Sequence, residues 1–153
     1  SDWGGEQLSS LLGNELAPYI DPSSERLRYI GDDLMLSPRN ALPVGLAIHE
    51  LVTNAVKHGA LSDDAGRIEV TVQAANNDLQ RLEWREIGGP RVHVPEEGGF
   101  GMFLIGTLLE RELRATVSVD FEPAGVCCVI ERSQDKADHR RAEGAHGSQD
   151  PGC

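Results

Sequence analysis

Residues 49–59 read HELVTNAVKHG and form the second half of a longer stretch, SPRNALPVGLAIHELVTNAVKHG, that begins at Ser37. At the helical repeat, Val44, Ile48, Leu51 and Ala55 fall within about 60° of one another, an apolar stripe suited to a core. Glu50, Asn54 and Lys57 fall within a second arc of about 60°, centred roughly 120° from the first. A carboxylate and a carboxamide are hard oxygen donors for a divalent ion, and an ammonium offsets phosphate charge, so this arc suits a metal-bound polyphosphate. Taken by spacing alone, the same arc also describes a solvated helix face, which is the commoner use of such a pattern.

The flanking sequence sets the frame around this helix. Ser37-Pro38 is a helix start, a hydroxyl cap followed by the residue best tolerated in the first turn. Pro43 predicts a kink or restart, with the main helix running from about 43 to 58 and stopped by Gly59. Upstream, EQLSSLLGNELAPYI carries leucines at 8, 11, 12 and 16, a helical repeat ending near Pro18. RLRYIG and LMLS read as short strands divided by Gly31-Asp32-Asp33. Downstream, GRIEVTVQA and DLQRLEWREI alternate as strands and meet at Asn76-Asn77-Asp78, the pattern of an antiparallel hairpin. Residues 88–99, GGPRVHVPEEGG, read as a loop. FGMFLIGTLLEREL is a second amphipathic helix, and ATVSVDFEP and GVCCVIER pair across Pro123-Ala124-Gly125. This order predicts an α/β fold, a two-layer sandwich of a mixed, mainly antiparallel sheet with helices on one face.

The whole chain bounds the function. Its 153 residues allow one domain, placed at 1–132, followed by a polar, aromatic-free tail at 133–153 expected to be disordered. A formal net charge of −11 argues against broad attachment to nucleic acid or to an anionic membrane, so an anionic ligand must be held locally. No leader or spanning segment is evident, and an opening on Ser1 rather than methionine suggests an excised piece of something longer. Cys127, Cys128 and Cys153 follow neither a disulfide framework nor a metal-ligand spacing, which fits a reducing cytoplasm. The pair His49-Glu50 begins a zinc-hydrolase motif, but Thr53 stands where the second histidine is required.

Three segments in this order, HELVTNAVKHG, WREIGGP and GFGMFLIG, resemble the N, G1 and G2 boxes of the ATP-binding domain of bacterial sensor histidine kinases. His49 together with Trp84-Arg85-Glu86 is similar to the HWE subclass, named for a histidine in the N box and a W-x-E motif. The resemblance covers about Leu8 to Glu131 and implies the Bergerat fold of the GHKL superfamily. It implies ATP and Mg2+ as cofactors, with Asn54 as the metal ligand and Glu50 near the metal and its waters. Lys57 would approach phosphate, Glu86 would accept from the adenine amino group, Gly88 would let the base approach the backbone, and Gly99 and Gly101 would offer amides to the phosphates. His49 is included as a catalytic-site residue because the motif names it; its place about 100° from Glu50 equally suits a structural histidine. Trp84 suits a core position. Two departures stand out: a short lid between Gly89 and Gly99, and Gly125-Val126 where relatives have Gly-Thr.

The implied reaction is transfer of the ATP γ-phosphoryl group to a histidine, the protein supplying position and charge stabilisation. Of the five histidines, 49 and 58 belong to the site helix, 93 to the lid and 139 and 146 to the tail. The acceptor is therefore expected on upstream dimerisation helices of the same parent, for which a dimer is one expected state, with a response regulator downstream, and the fragment alone is expected not to autophosphorylate. The alternative is a degenerate interaction module that kept the fold and lost catalysis.

Overall fold

The computed structural model describes residues 5–91 and 100–133. In chain order its elements are β1 (Glu6–Gln7), α1 (Leu8–Leu16), β2 (Leu27–Gly31), β3 (Met35–Leu36), α2 (Pro38–His58), a 3-10 turn (Ala60–Ser62), β4 (Arg67–Ala75), β5 (Asp78–Ile87), α3 (Phe100–Leu113), β6 (Ala115–Glu122) and β7 (Gly125–Arg132). Among the described residues the main sheet has five strands in the order β2-β4-β5-β7-β6, and β1 and β3 form a separate antiparallel pair. Only β2 and β4 run parallel; the other neighbours are antiparallel. The parallel pair arises because α2 lies between its strands in sequence and returns the chain to the same end of the sheet.

One core joins the layers. Leu8, Leu12 and Leu16 of α1, Val44, Ala47, Ile48, Leu51, Val52 and Ala55 of α2, and Ile105, Leu109 and Leu113 of α3 pack with Ile68, Val70, Val72, Leu82, Trp84, Cys128 and Ile130 of the sheet. The helices thus cover one sheet face, as the alternation in the hairpins predicts. Burial at Cys128 pushes its free thiol up to about 12, so it acts as a small apolar side chain. Cys127 is disulfide-bonded, a pairing that the absence of a disulfide framework in the sequence did not predict.

Two details differ from the sequence reading. Helix α2 is continuous from Pro38 to His58, with no restart at Pro43. Pro43 deprives only the Arg39 carbonyl of its helical donor, and Arg39 is exposed, so water can replace that bond. The Ser37 hydroxyl, accepting from the Asn40 N–H at 3.3 Å, starts the helix in the preceding turn. In the β4–β5 hairpin, Asn76 and Asn77 both take positive φ, at 54° and 65°, as a two-residue hairpin turn requires. The pairing then slips: Gln73 faces Arg81 while Ala74 faces Leu79, leaving Gln80 as the extra residue of a bulge. That slip lets Leu79 and Leu82, three apart, both reach the core. The Asp32 carboxylate accepts from the Ala74 N–H at 2.9 Å and closes the bulge from β2's end.

The loop from β2 back to α1 is tied by Asp33. Its carboxylate accepts from the Ser9 N–H at 3.0 Å, the Ser9 hydroxyl at 2.5 Å and the Gln7 amide at 2.9 Å, capping a helix whose own N-cap, Gln7, supplies no bond. Leu109 is fully buried where α3 meets α2 and the sheet. Leu109→Ala is expected to cost about 2–5 kcal/mol, read as a lower denaturant midpoint with an unchanged slope.

Candidate functional site

The apolar stripe of α2 is buried, Val44, Ile48 and Ala55 at 0 % exposure, and this fixes where the polar stripe looks. Glu50 is half-buried and Asn54 and Lys57 are exposed on the outer side of the helix. Helix α3 begins beside them. A Cβ placed on Gly101 would lie 3.3 Å from Glu50 Oε1, so the first turn of α3 passes the carboxylate at van der Waals distance. Glu50 and Gly101 are therefore brought together as the sequence implies. Gly99 falls outside the described residues, as does His93.

The second part of the site is built where α2 ends. Glu86, near the end of β5, is 4 % exposed, and both of its oxygens are bonded. Oε1 accepts from the Ala60 N–H at 2.9 Å and Oε2 from the Trp84 indole N–H at 3.0 Å. Burial raises the Glu86 carboxyl above its ordinary 4.5, and the Ala60 and Trp84 bonds oppose the rise. On the other sheet face Glu83 lies 3.8 Å from the guanidinium groups of both Arg81 and Arg85, so β5 carries one acid among cations and one held by neutral donors.

Glycines leave the room for this carboxylate. A Cβ on Gly59 would sit 2.1 Å from Glu86 Oε1, and one on Gly125 would sit 1.9 Å from the Glu86 carbonyl oxygen. Gly59 therefore does more than end α2. Gly88 takes φ +73° and turns the chain out of β5, with a Cβ position 3.0 Å from the Ala65 carbonyl, while the corresponding position on Gly89 is 2.6 Å from Ala60 Cα. The exit of β5 thus packs backbone to backbone on the segment 60–66. Arg26 holds that segment from behind: its guanidinium donates to the carbonyls of Gly66 at 2.8 Å, Ala60 at 3.2 Å and Asp63 at 2.5 Å.

His49 stands apart. Its Nδ1 is 2.9 Å from Glu15 Oε2 of α1, on the flank of α2 away from Glu50, with its side chain 64 % exposed. His58 is exposed at the helix end. The sequence reading placed Trp84 in the core and missed its bond to Glu86, although residues two apart on a strand share a face. It also missed Arg26 and Ala60; no local pattern marks a side chain that reaches backbone 34 to 40 residues away.

The raised Glu86 carboxyl has a defined sign in stability. Between 4.5 and its higher folded value the folded chain binds the proton more than the unfolded chain does, so this group makes stability fall as pH rises through that window. Glu86→Gln is expected to flatten that part of the stability profile, measured by denaturant titration from pH 4 to pH 8.

No protein-family model matches the chain. It is 36% identical over 128 residues to a blue-light-activated histidine kinase of Brucella anthropi and 34% identical over 128 residues to one of Brucella ovis, in each case across 82% of this chain and 26% of the relative. The chain thus spans about a quarter of the length of the curated relatives it matches. The histidine kinase domain of the Erythrobacter litoralis blue-light-activated histidine kinase superposes with a TM-score of 0.61 at 18% identity, covering 86% of this chain and 69% of that one. The catalytic domain of histidine kinase ThkA gives 0.57 at 13% identity, over 84% of this chain and 94% of that one, so the solved structures speak for the fold. Sequence relatives and fold neighbours agree: over 128 residues the chain is similar to blue-light-activated histidine kinases, it carries the HWE pattern at His49, Trp84 and Glu86, and it has the fold of histidine kinase catalytic domains.

Proposed function

We propose that this domain binds Mg-ATP and, within its parent protein, delivers the γ-phosphoryl group to a histidine of an upstream dimerisation segment, for onward passage to a response regulator. The observation that carries the reading is the Glu86 carboxylate held behind Gly59, at the end of the same helix that presents Glu50, Asn54 and Lys57. In this reading Glu86 accepts from the adenine amino group and Gly88 admits the base edge. Lys57 meets phosphate charge, and Gly99 and Gly101 offer backbone amides at the entry of α3.

The residues fit the metal. Among the described residues no cluster of three or more His, Cys, Asp or Glu could cage an ion. Mg2+ does not need one, because it keeps waters and phosphate oxygens and takes one or two protein ligands. Asn54 would supply a carboxamide oxygen to the ion, and Glu50, beside Gly101, would accept from its waters. When bound, the ion neutralises charge on the phosphate oxygens during transfer. The chain's own work is to seat the nucleotide and hold the γ-phosphorus in line with an incoming imidazole nitrogen, the bond to ADP breaking as the new one forms. His49 is proposed to position α1 against α2 through Glu15 rather than to touch the nucleotide. A cytoplasmic location belongs to the same proposal; no helix among the described residues is long and apolar enough to cross a membrane.

Asn54 is exposed, so Asn54→Ala should leave the thermal transition in place. The same variant should abolish Mg-dependent ATP binding by calorimetry, and unchanged affinity would reject the assignment. The chain incubated with labelled ATP should accumulate no stoichiometric phosphohistidine; a defined phosphorylated histidine would show that the acceptor lies within these 153 residues.

A further inference from the structure

We infer that Trp84 is a specificity-positioning residue, whose indole N–H aims the Glu86 carboxylate and keeps it a hydrogen-bond acceptor for a purine bearing an exocyclic amino group. The inference rests on the nucleotide reading above and extends it to a side chain that does not touch the ligand.

Trp84 is 0 % exposed, so its N–H has no access to water and must find a partner inside the fold. That partner is Glu86 Oε2, at 3.0 Å. The two residues alternate on one face of β5, where Trp84 is flanked across the strands by Val70 on β4 and Cys128 on β7. A large ring locked in a packed core is a rigid donor. On the other oxygen the donor is the Ala60 N–H, and Ala60 is itself anchored, its carbonyl bonded by Arg26. The carboxylate is thus gripped at both oxygens by groups that cannot follow it if it turns.

A carboxylate has about four acceptor positions on its two oxygens. Two are used within the protein, and the remaining ones are fixed in direction. Adenine presents an N–H donor to such a group. Guanine presents a carbonyl oxygen at the same place, acceptor against acceptor. The discrimination requires an ionised Glu86, since a protonated carboxyl would donate to that carbonyl. Two N–H donors favour the ionised form in a setting where burial disfavours it. Among the described residues Glu86 makes no ion pair, so the N–H bonds carry this task.

Trp84→Phe keeps an aromatic ring, smaller than the indole, and removes the donor. In the intact chain it should fold cooperatively, raise the Glu86 titration midpoint seen by carboxyl 13C NMR, and lower ATP affinity at pH 7 by about tenfold with GTP affinity little changed. In a Glu86→Gln background the same substitution should leave the ATP-to-GTP ratio unaltered. A tryptophan that merely supports the fold would lower both affinities alike, whichever residue stands at 86, and that result would overturn the inference. An independent reading needs no change at 84: with Trp3 replaced by phenylalanine, the one remaining indole N–H resonance should follow the Glu86 titration, and a flat response would also overturn it. If the unsubstituted chain binds no nucleotide, the proposed function fails and the selection role falls with it. If it binds ATP but Trp84→Phe leaves the ratio and the midpoint where they were, only this inference fails.

Discussion

Burial of one stripe of α2 fixes the orientation of everything else on that helix. Val44, Ile48, Leu51 and Val52 are at 3 % exposure or less, and each such side chain contributes about 1.5–3 kcal/mol when removed from water. Turning the helix by about a third of a revolution would expose them and push Glu50, Asn54 and Lys57 toward the sheet, where unpaired charge is heavily penalised. The polar stripe therefore has one stable direction, outward and toward the first turn of α3. Precision in the proposed site comes from the core, and the polar residues need no further bonds to hold their azimuth. Their exposure leaves the donor atoms of Asn54 and Lys57 available to a ligand.

Around Glu86 a different economy applies. A buried acid with no ion pair among the described residues is an unfavourable thing to build, and the fold surrounds it with backbone and with the Trp84 indole. Gly59 and Gly125 leave space on two sides, and Gly66 and Gly89 let the segment 60–66 press onto the exit of β5; a Cβ on Gly66 would stand 1.9 Å from the Ala60 carbonyl. What these four glycines share is proximity, since only Gly125 among them has positive φ. Close approach of backbone brings the Ala60 N–H to Oε1 and lets one arginine, Arg26, secure three carbonyls of the same segment. The cost of burial is met by oriented N–H groups, which also define the direction in which the acid can accept.

The periodic features of this chain were legible and the cross-chain ones were not. The apolar repeats of α1, α2 and α3 and the alternation of β4 and β5 state their own geometry, and the layer architecture follows from covering one face of the sheet. Motif order pointed to the family because it fixes the sequence distances between pieces of one site. The bulge at Gln80 has no such signature: DLQRLEW alternates poorly over its first residues, and only pairing with Gln73 and Ala74 shows which residue is extra. Pro43 was misread for a related reason. The rule concerns a lost bond, and the size of that loss depends on whether the Arg39 carbonyl meets water, a tertiary fact. Arg26 was invisible because its partners are backbone carbonyls, which every residue has.

The letters of the subclass pattern divide by role once their surroundings are compared. Glu86 is the buried acid of the proposed site, bonded at both oxygens; Trp84 stands behind it in the core, and His49 lies on the seam between α1 and α2. The His49–Glu15 pair is exposed on both sides, 64 % and 32 %, and such pairs contribute about 0–1 kcal/mol. Stability is too small a return to explain a histidine at that place. The pair does bridge two helices, and Asp33, which caps α1, joins that helix to the end of β2. From there Asp32 reaches the β4–β5 hairpin through the Ala74 N–H. The histidine is therefore connected to the β4–β5 hairpin by a continuous series of bonded groups, while standing about 100° round α2 from Glu50.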